Sequence, residues 1–320
     1  MVGQMLSTEW KKLKSGTDIR GVALADGGRE VDLTDMVVEK ITGAFARWLA
    51  EKNGKSAAQL VISVGRDSRL SGPRIRDAAV GALTARGVKV LDCGLASTPA
   101  MFMSTVFEEY RCDGAIMITA SHLPKDRNGF KYFSREGGLD KEDIAQIIKI
   151  AEGLSLEELQ AQYKEKNALG QVKQAGVMST YASYLREMIK KQVGGDNPLE
   201  GLRIVVDAGN GAGGFYALDV LKPLGADITG SQFLEPDGNF PNHQPNPENK
   251  EAMESICRAV IENKADLGLI FDTDVDRSSA VDASGREINR NAIVAMAAAL
   301  IAKDFPGTTV VTDSITSDQL

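Results

Sequence analysis

The chain has 320 residues, enough for about two domains, and its 43% hydrophobic and 25% charged residues are those of an ordinary soluble globular protein, not a disordered or fibrous one. A net charge of −7 speaks against a general nucleic-acid binder, although local arginines or a metal can still receive an anionic substrate. Three scattered cysteines (Cys93, Cys112, Cys257) are too few for a disulfide framework or a zinc cluster, no apolar run reaches the length of a membrane span, and Met1 to Lys14 lacks the apolar core of a secretory signal.

Strand and helix patterns alternate from the start. Leu60 to Val64 reads as a strand, Pro73 to Ala85 as a helix, Val88 to Asp92 as a strand, the region of Met101 to Glu109 as a helix, and Gly114 to Ile118 as a buried strand. The alternation predicts a parallel sheet with helices on both faces. Lys141 to Lys166 is charged and helical in pattern, which predicts two surface helices. Ser179 to Gln192 reads as a linker helix, because Tyr181, Tyr184, Leu185, Met188 and Ile189 recur at helical spacing. Ser179 or Thr180 is placed to cap it, and Gly194-Gly195 and Pro198 to stop it. The pattern then restarts, with Leu202 to Val206 as a strand, a glycine-rich loop, a helix, and Asp266 to Phe271 as a strand. Thr308 to Asp313 reads as a further strand and Ser314 to Ser317 as a loop or helix start. The expected class is α/β: consecutive related domains with mixed, mainly parallel sheets and helices on both faces.

Two loops carry chemistry. Thr119-Ala120-Ser121-His122-Leu123-Pro124 follows the apolar run Gly114 to Ile118 and, continuing to Lys131, brings a serine, a histidine and a lysine within eleven residues. The carboxyl end of a buried strand is where open α/β sheets place their chemistry, though a Ser-His pair is equally at home in an ordinary loop. Asp272-Thr273-Asp274-Val275-Asp276-Arg277 follows the apolar run ending at Phe271. Three carboxylates at alternate positions face one side of an extended backbone. Their mutual repulsion calls for a cation, and hard oxygen ligands suit magnesium or calcium. A helix-loop-helix calcium site is excluded, because Arg277 and Ala283 stand where it needs glycine and glutamate. The bland alternative is a solvated acidic turn.

Three other motifs are weaker. Gly209-Asn210-Gly211-Ala212-Gly213-Gly214 spells the dinucleotide pattern, which would make the chain a nicotinamide oxidoreductase. It sits in the second domain, and no acidic residue for a ribose ends the next strand, so a tight turn is the better reading. Arg66 and Asp67 read as an ion pair within the first domain, and His243, in a proline- and asparagine-rich loop, as structural rather than catalytic.

Taken together the two loops resemble those of the α-D-phosphohexomutase superfamily, the phosphoglucomutases and phosphomannomutases. Gly16-Thr17-Asp18-Ile19-Arg20-Gly21, Val64-Gly65-Arg66-Asp67-Ser68-Arg69 and Pro236-Asp237-Gly238-Asn239-Phe240-Pro241 are also similar to family segments. Leu123 departs from the pattern, where many members carry asparagine. The resemblance implies that Ser121 is the nucleophile and phosphoryl carrier, with His122 beside it. It implies that Asp272, Asp274 and Asp276, with an oxygen on Ser121, hold Mg2+. It further implies that Lys131 is a general acid or base, or else a phosphate-binding lysine, and that Arg20 and Arg277 contact phosphate or sugar.

The implied activity is interconversion of hexose 1- and 6-phosphates, of glucose or mannose with the amino sugars open, through a hexose 1,6-bisphosphate that also phosphorylates the enzyme. Domain I would cover residues 1–178, domain II 179–304, and 305–320 would begin a third. The family's Glu-x-Ser-Gly and Arg-x-Ser-Gly-Thr loops do not occur, and Arg69-Leu70-Ser71-Gly72 looks like a chance fragment of the latter. The chain is therefore expected to be the amino-terminal part of a longer enzyme and inactive alone. The rival is a non-catalytic fragment that binds metal and sugar phosphate. The expected compartment is the cytoplasm, or a plastid if an address has been removed.

Overall fold

The structure, a computed structural model, describes residues 8–25, 28–155, 170–312 and 316. Two β-sheets organise them. In chain order the strands of the larger sheet are β1 (Lys14–Ser15), β2 (Asp18–Val22), β3 (Val61–Arg66), β4 (Lys89–Leu95), β5 (Gly114–Ile118), β6 (Arg127–Ser134), β7 (Gly137–Gly138) and β8 (Val172–Gln174). Across the sheet they lie β1-β2-β6-β5-β3-β4-β8, with β7 beside β6. β5, β3, β4 and β8 pair in parallel, whereas β6 turns back antiparallel to β5 and pairs antiparallel with β2. The sheet is mixed, as expected. β2 and β6 lie outside the apolar runs that mark the other strands, since charged and polar residues interrupt both.

The helices around this sheet are α1 (Thr8–Lys11), α2 (Asp35–Asn53), α3 (Gly72–Thr84), α4 (Thr98–Met103) and α5 (Lys141–Gly153). Side chains alternate across a strand, so β5 splits its buried residues between two cores. Ile116 and Ile118 join Ile41, Phe45 and Leu49 of α2, Ile75 and Leu83 of α3, and Ile144 and Ile147 of α5. Ala115 and Met117 join Met101 of α4 and Met178 on the opposite face. Helices thus cover both faces. α4 is shorter and earlier than the pattern predicted. Ser97 Oγ caps it by accepting from Ala100 N, and Ser104 Oγ donates to the Met101 carbonyl where it ends. The second helix expected by Lys166 falls on residues 156–169, outside the described residues.

α6 (Val177–Val193) joins the units. It begins before either expected cap, Ser179 or Thr180, with Gly176 at its start, and the Thr180 hydroxyl pairs with Tyr110 Oη at 2.8 Å. Met178 enters the first unit, and Ala182 packs on Val220 and Leu224 of the second. The second sheet is β11-β10-β9, from β9 (Ile204–Asp207), β10 (Leu267–Phe271) and β11 (Ser278–Asp282). β9 and β10 are parallel, and β11 returns antiparallel. α7 (Lys250–Asn263) covers one face through Ile256 and Val260. The other face meets a π-helical turn, Tyr216–Leu221, continued by the 3-10 turn Lys222–Leu224. An α-helix was expected there. Pro223, which has no backbone N–H, is incompatible with its interior.

α8 (Arg290–Asp304) buries none of its residues. Residues 308–312 form no strand and are exposed, with no neighbour to pair among the described residues; the rest of that expected element lies outside them. No helix among the described residues is long and apolar enough to cross a membrane.

Candidate active site

Two turn-backs meet at the junction of the units. One joins β5 to β6 and carries Ser121; the other joins β10 to β11 and carries Asp272, Asp274 and Asp276. Ser121 Oγ donates to Asp272 Oδ2 at 2.7 Å, linking residues 151 apart in sequence. His122 Nδ1 lies 3.3 Å from the same oxygen. With the one serine proton given to Asp272, that second contact needs His122 Nδ1 as donor.

Ser121 has φ 53°, a left-handed conformation uncommon outside glycine. Neighbours impose it. Ser121 N donates to Thr119 Oγ1 at 2.8 Å, and its carbonyl accepts from Arg69 Nη2. Arg69 is fully buried. It also donates to the carbonyls of Leu123 and Pro124, both at 2.7 Å, and Arg127 at 3.0 Å. Asp67 balances its charge, with Nε at 3.2 Å, and accepts from Thr119 Oγ1 at 2.7 Å. The ion pair expected of Arg66 and Asp67 is therefore made by Arg69 instead. Arg66 reaches only the Asp67 carbonyl, at 3.0 Å. Arg69, taken from its motif as a coincidence, frames the serine loop.

The acidic triad converges, but not by the extended backbone expected. Ligand oxygens of the three aspartates lie within 4.8 Å of one another because the loop curls round Asp272. Asp276 N and Arg277 N both donate to Asp272 Oδ1 at 3.1 Å, and Val275 has φ 66°. Asp272 and Asp274 are buried, and Asp276 is exposed. Burial raises the Asp272 pKa, Asp276 adds its like charge, and the result is about 6. Asp274 is pushed well above the ordinary carboxyl range by burial and then by Asp272 and Asp276. Thr98 Oγ1 donates to Asp274 Oδ2, while Asp274 Oδ1 is buried without a partner among the described residues. Three hard-oxygen donors, two of them buried and one orphaned, fit a divalent cation such as magnesium. Thr98 went unnoticed in the sequence, since nothing in its own neighbourhood points to Asp274.

A cationic side faces the triad. Lys131 Nζ is 3.2 Å from Asp18 Oδ2 and 3.2 Å from Asp276 Oδ2. Arg20 Nη2 reaches the same Asp18 oxygen at 2.7 Å, and its Nε is buried without a partner. Close pairing of β2 and β6 brings these residues together: a Cβ on Gly129 would stand 2.2 Å from the Ile19 carbonyl oxygen. Burial pulls the Lys131 pKa down, but the Asp274, Asp18 and Asp276 charges outweigh it and leave it raised. His122 moves the other way, lowered by burial and then by Arg277 and Arg20. The Arg277 side chain lies with Glu248, at 3.9 Å.

The glycine-rich loop supports the triad from behind. Ala212 N donates to the Thr273 carbonyl at 2.8 Å, and a Cβ on Gly211 would come within 2.7 Å of that oxygen. This is the tight turn, here packed on the acidic loop.

Residues 11–157 match the family described as phosphoglucomutase/phosphomannomutase, alpha/beta/alpha domain I, and residues 179–285 match its domain II. The chain is similar to a phosphoglucomutase of Neisseria gonorrhoeae, 33% identical over 92% of this chain and 58% of that protein. A phosphomannomutase/phosphoglucomutase of Pseudomonas syringae is 33% identical over 89% of this chain and 58% of its own length. The chain thus spans 58% of the length of these relatives. Among solved structures, a phosphoglucomutase/phosphomannomutase family protein from Burkholderia thailandensis superposes with a TM-score of 0.74 at 28% identity, covering 95% of this chain and 61% of that one.

Proposed function

The chain belongs to the phosphoglucomutase/phosphomannomutase family, and on that premise we propose that it serves to move a phosphoryl group between the 1- and 6-positions of an aldohexose. The observation that carries this reading is the 2.7 Å contact from Ser121 Oγ to Asp272 within the acidic triad. Ser121 is the carrier. Its Oγ–P bond breaks as a P–O bond forms to a sugar hydroxyl, and the hydroxyl proton ends on the serine oxygen. The resulting hexose 1,6-bisphosphate returns its other phosphoryl group to Ser121 by the reverse step.

His122, neutral near pH 7 on its lowered pKa, exchanges a proton at Ser121 Oγ. Lys131 acts as an ammonium that meets phosphoryl oxygens or donates a proton, in keeping with its raised pKa. Arg20 offers to phosphate an Nε without a partner among the described residues, and Arg277, after the triad, offers a second guanidinium. Asp272, Asp274 and Asp276, with an oxygen of phosphorylated Ser121, would hold magnesium, which when bound withdraws charge from the transferring group and the departing serine oxygen.

Glucose and mannose phosphates are the proposed substrates. A probable phosphoglucosamine mutase of Methanosphaera stadtmanae, 31% identical, keeps amino sugars in view. The second reading is metal and sugar-phosphate binding without turnover. It is favoured by Arg20 and Lys131 both being gathered on Asp18 beside the one triad found among the described residues. Label from a hexose 1,6-bisphosphate should pass to the protein and then to added hexose monophosphate. Protein that takes label and never releases it supports the second reading; protein that takes none contradicts both the carrier and its role in turnover.

A further inference from the structure

A loop of the second unit, residues 236–245, is fastened to the first unit at three points. A Cβ on Gly238 would come within 2.5 Å of Ser68 O and Leu70 N, so the backbones lie in close approach. The Phe240 ring lies 5.4 Å from Arg69 Cζ. Gln244 Nε2 donates to the His122 carbonyl at 2.6 Å, on the residue that follows Ser121. We propose that Gln244 is a positioning residue for Ser121, holding the serine loop to the unit that carries the acidic triad, with His243 as its anchor.

The anchor follows from donor counting. His243 Nδ1 is 3.0 Å from the Gln244 carbonyl oxygen, which only accepts. Its Nε2 lies 3.0 and 3.1 Å from the two oxygens of Asp207, which also accept from Gly209 N at 2.9 Å and Gln232 Nε2 at 2.7 Å. Both ring nitrogens therefore carry protons, and the side chain is 1% exposed against an Asp207 that is 0% exposed. Burial lowers the His243 pKa, but the hydrogen bond and charge of Asp207, with Glu251 beyond, leave it raised. The Gln244 backbone is fixed by a charged contact, and an otherwise exposed side chain is aimed at one carbonyl.

The loop that receives it needs holding. Ser121 sits at φ 53°, an unfavourable conformation for a residue with a side chain, which persists only where its surroundings hold it. Arg69 imposes it from within the first unit. Gln244 holds the next residue, His122, from the second unit, and so sets where the serine loop stands relative to Asp272. The inference rests on Ser121 as the reacting residue, but its test does not need chemistry.

The test is amide hydrogen exchange on the 320-residue chain with Gln244→Glu and Gln244→Met. Glutamate keeps the shape, removes the donor and adds a charge; methionine removes the donor without adding one. Exchange at Ser121 and Leu123 should quicken about tenfold, the loss expected for one hydrogen bond. Val205 and Val206 of β9 and the melting midpoint should not change, and both His243 ring N–H signals should persist. Unchanged exchange at Ser121 and Leu123 overturns the proposal. So does a rise shared equally with β9 and a lowered melting midpoint, which marks a merely stabilising residue. Failure of Ser121 to accept phosphate would count against the proposed function alone, because exchange is read without substrate.

Discussion

Thr98 ties the first unit to Asp274 twice: its hydroxyl donates to Asp274 Oδ2 and its backbone N–H to the Asp274 carbonyl at 2.8 Å. The buried acidic loop thus has its most enclosed carboxylate oriented by the other unit. Partners of this kind set metal affinity. Thr98→Val should weaken Mg2+ binding about tenfold, in the range found when a ligand's orienting partner is lost. Calorimetric titration measures it, and unchanged affinity would show that Asp274 needs no orientation from the first unit.

Arg69 is buried with Asp67 and donates to four backbone carbonyls of the serine loop and the strand after it. Removing one partner of such a pair strands the other charge. Arg69→Met should cost about 3–5 kcal/mol in urea unfolding, with Arg69→Lys falling between, since an ammonium lacks the fork that meets several carbonyls at once. A loss below about 1 kcal/mol would contradict the framing role.

The metal-free chain should lose stability as pH rises from about 4 to 6. Asp272 is raised from 3.8 to about 6, and Asp274 is raised as well. The folded state therefore holds more protons than the unfolded state across that window, and stability falls with pH. Mg2+ should reverse the slope, and Asp274→Asn should flatten it and reduce the metal effect. Thermal unfolding with magnesium or with chelator measures this. A metal-free profile that rises through the window would contradict the crowding of the triad.

His243 predicts a separate window. Its folded pKa lies above the ordinary 6.5, so its contribution is complete below 6.5 and is lost as pH rises through the folded value. His243→Gln should be less stable at pH 6 and should lack that alkaline decline. Parallel profiles for the two proteins between pH 6.5 and 9 would contradict a buried imidazolium on Asp207.

Strands with apolar runs, such as Gly114–Ile118, follow from the sequence alone, as do the loops that end them. Ser121 and the three aspartates stand out locally as candidates because they follow buried strands, and the structure brings them together. What pattern could not supply is partnership. Arg69 and Thr98 act on residues 52 and 176 positions away, and no periodicity links such distances. The curl of the acidic loop depends on a positive φ at Val275, which a β-branched residue does not advertise. The charges around Lys131 come from Asp274, Asp18 and Asp276, on other strands and loops, and they raise its pKa against burial.

The most direct test of phosphoryl carriage is the location of the phosphate. The 320-residue chain, incubated with glucose 1,6-bisphosphate and Mg2+, should gain one phosphate that peptide mapping by mass spectrometry places on Ser121. Ser121→Ala should gain none, and Asp274→Ala should gain it at least about a hundredfold more slowly, as expected when charge stabilisation at the departing oxygen is lost. A phosphate found at another residue, or taken up equally fast by the Asp274→Ala chain, would contradict the assignment of Ser121 and the triad as one phosphoryl-transfer site.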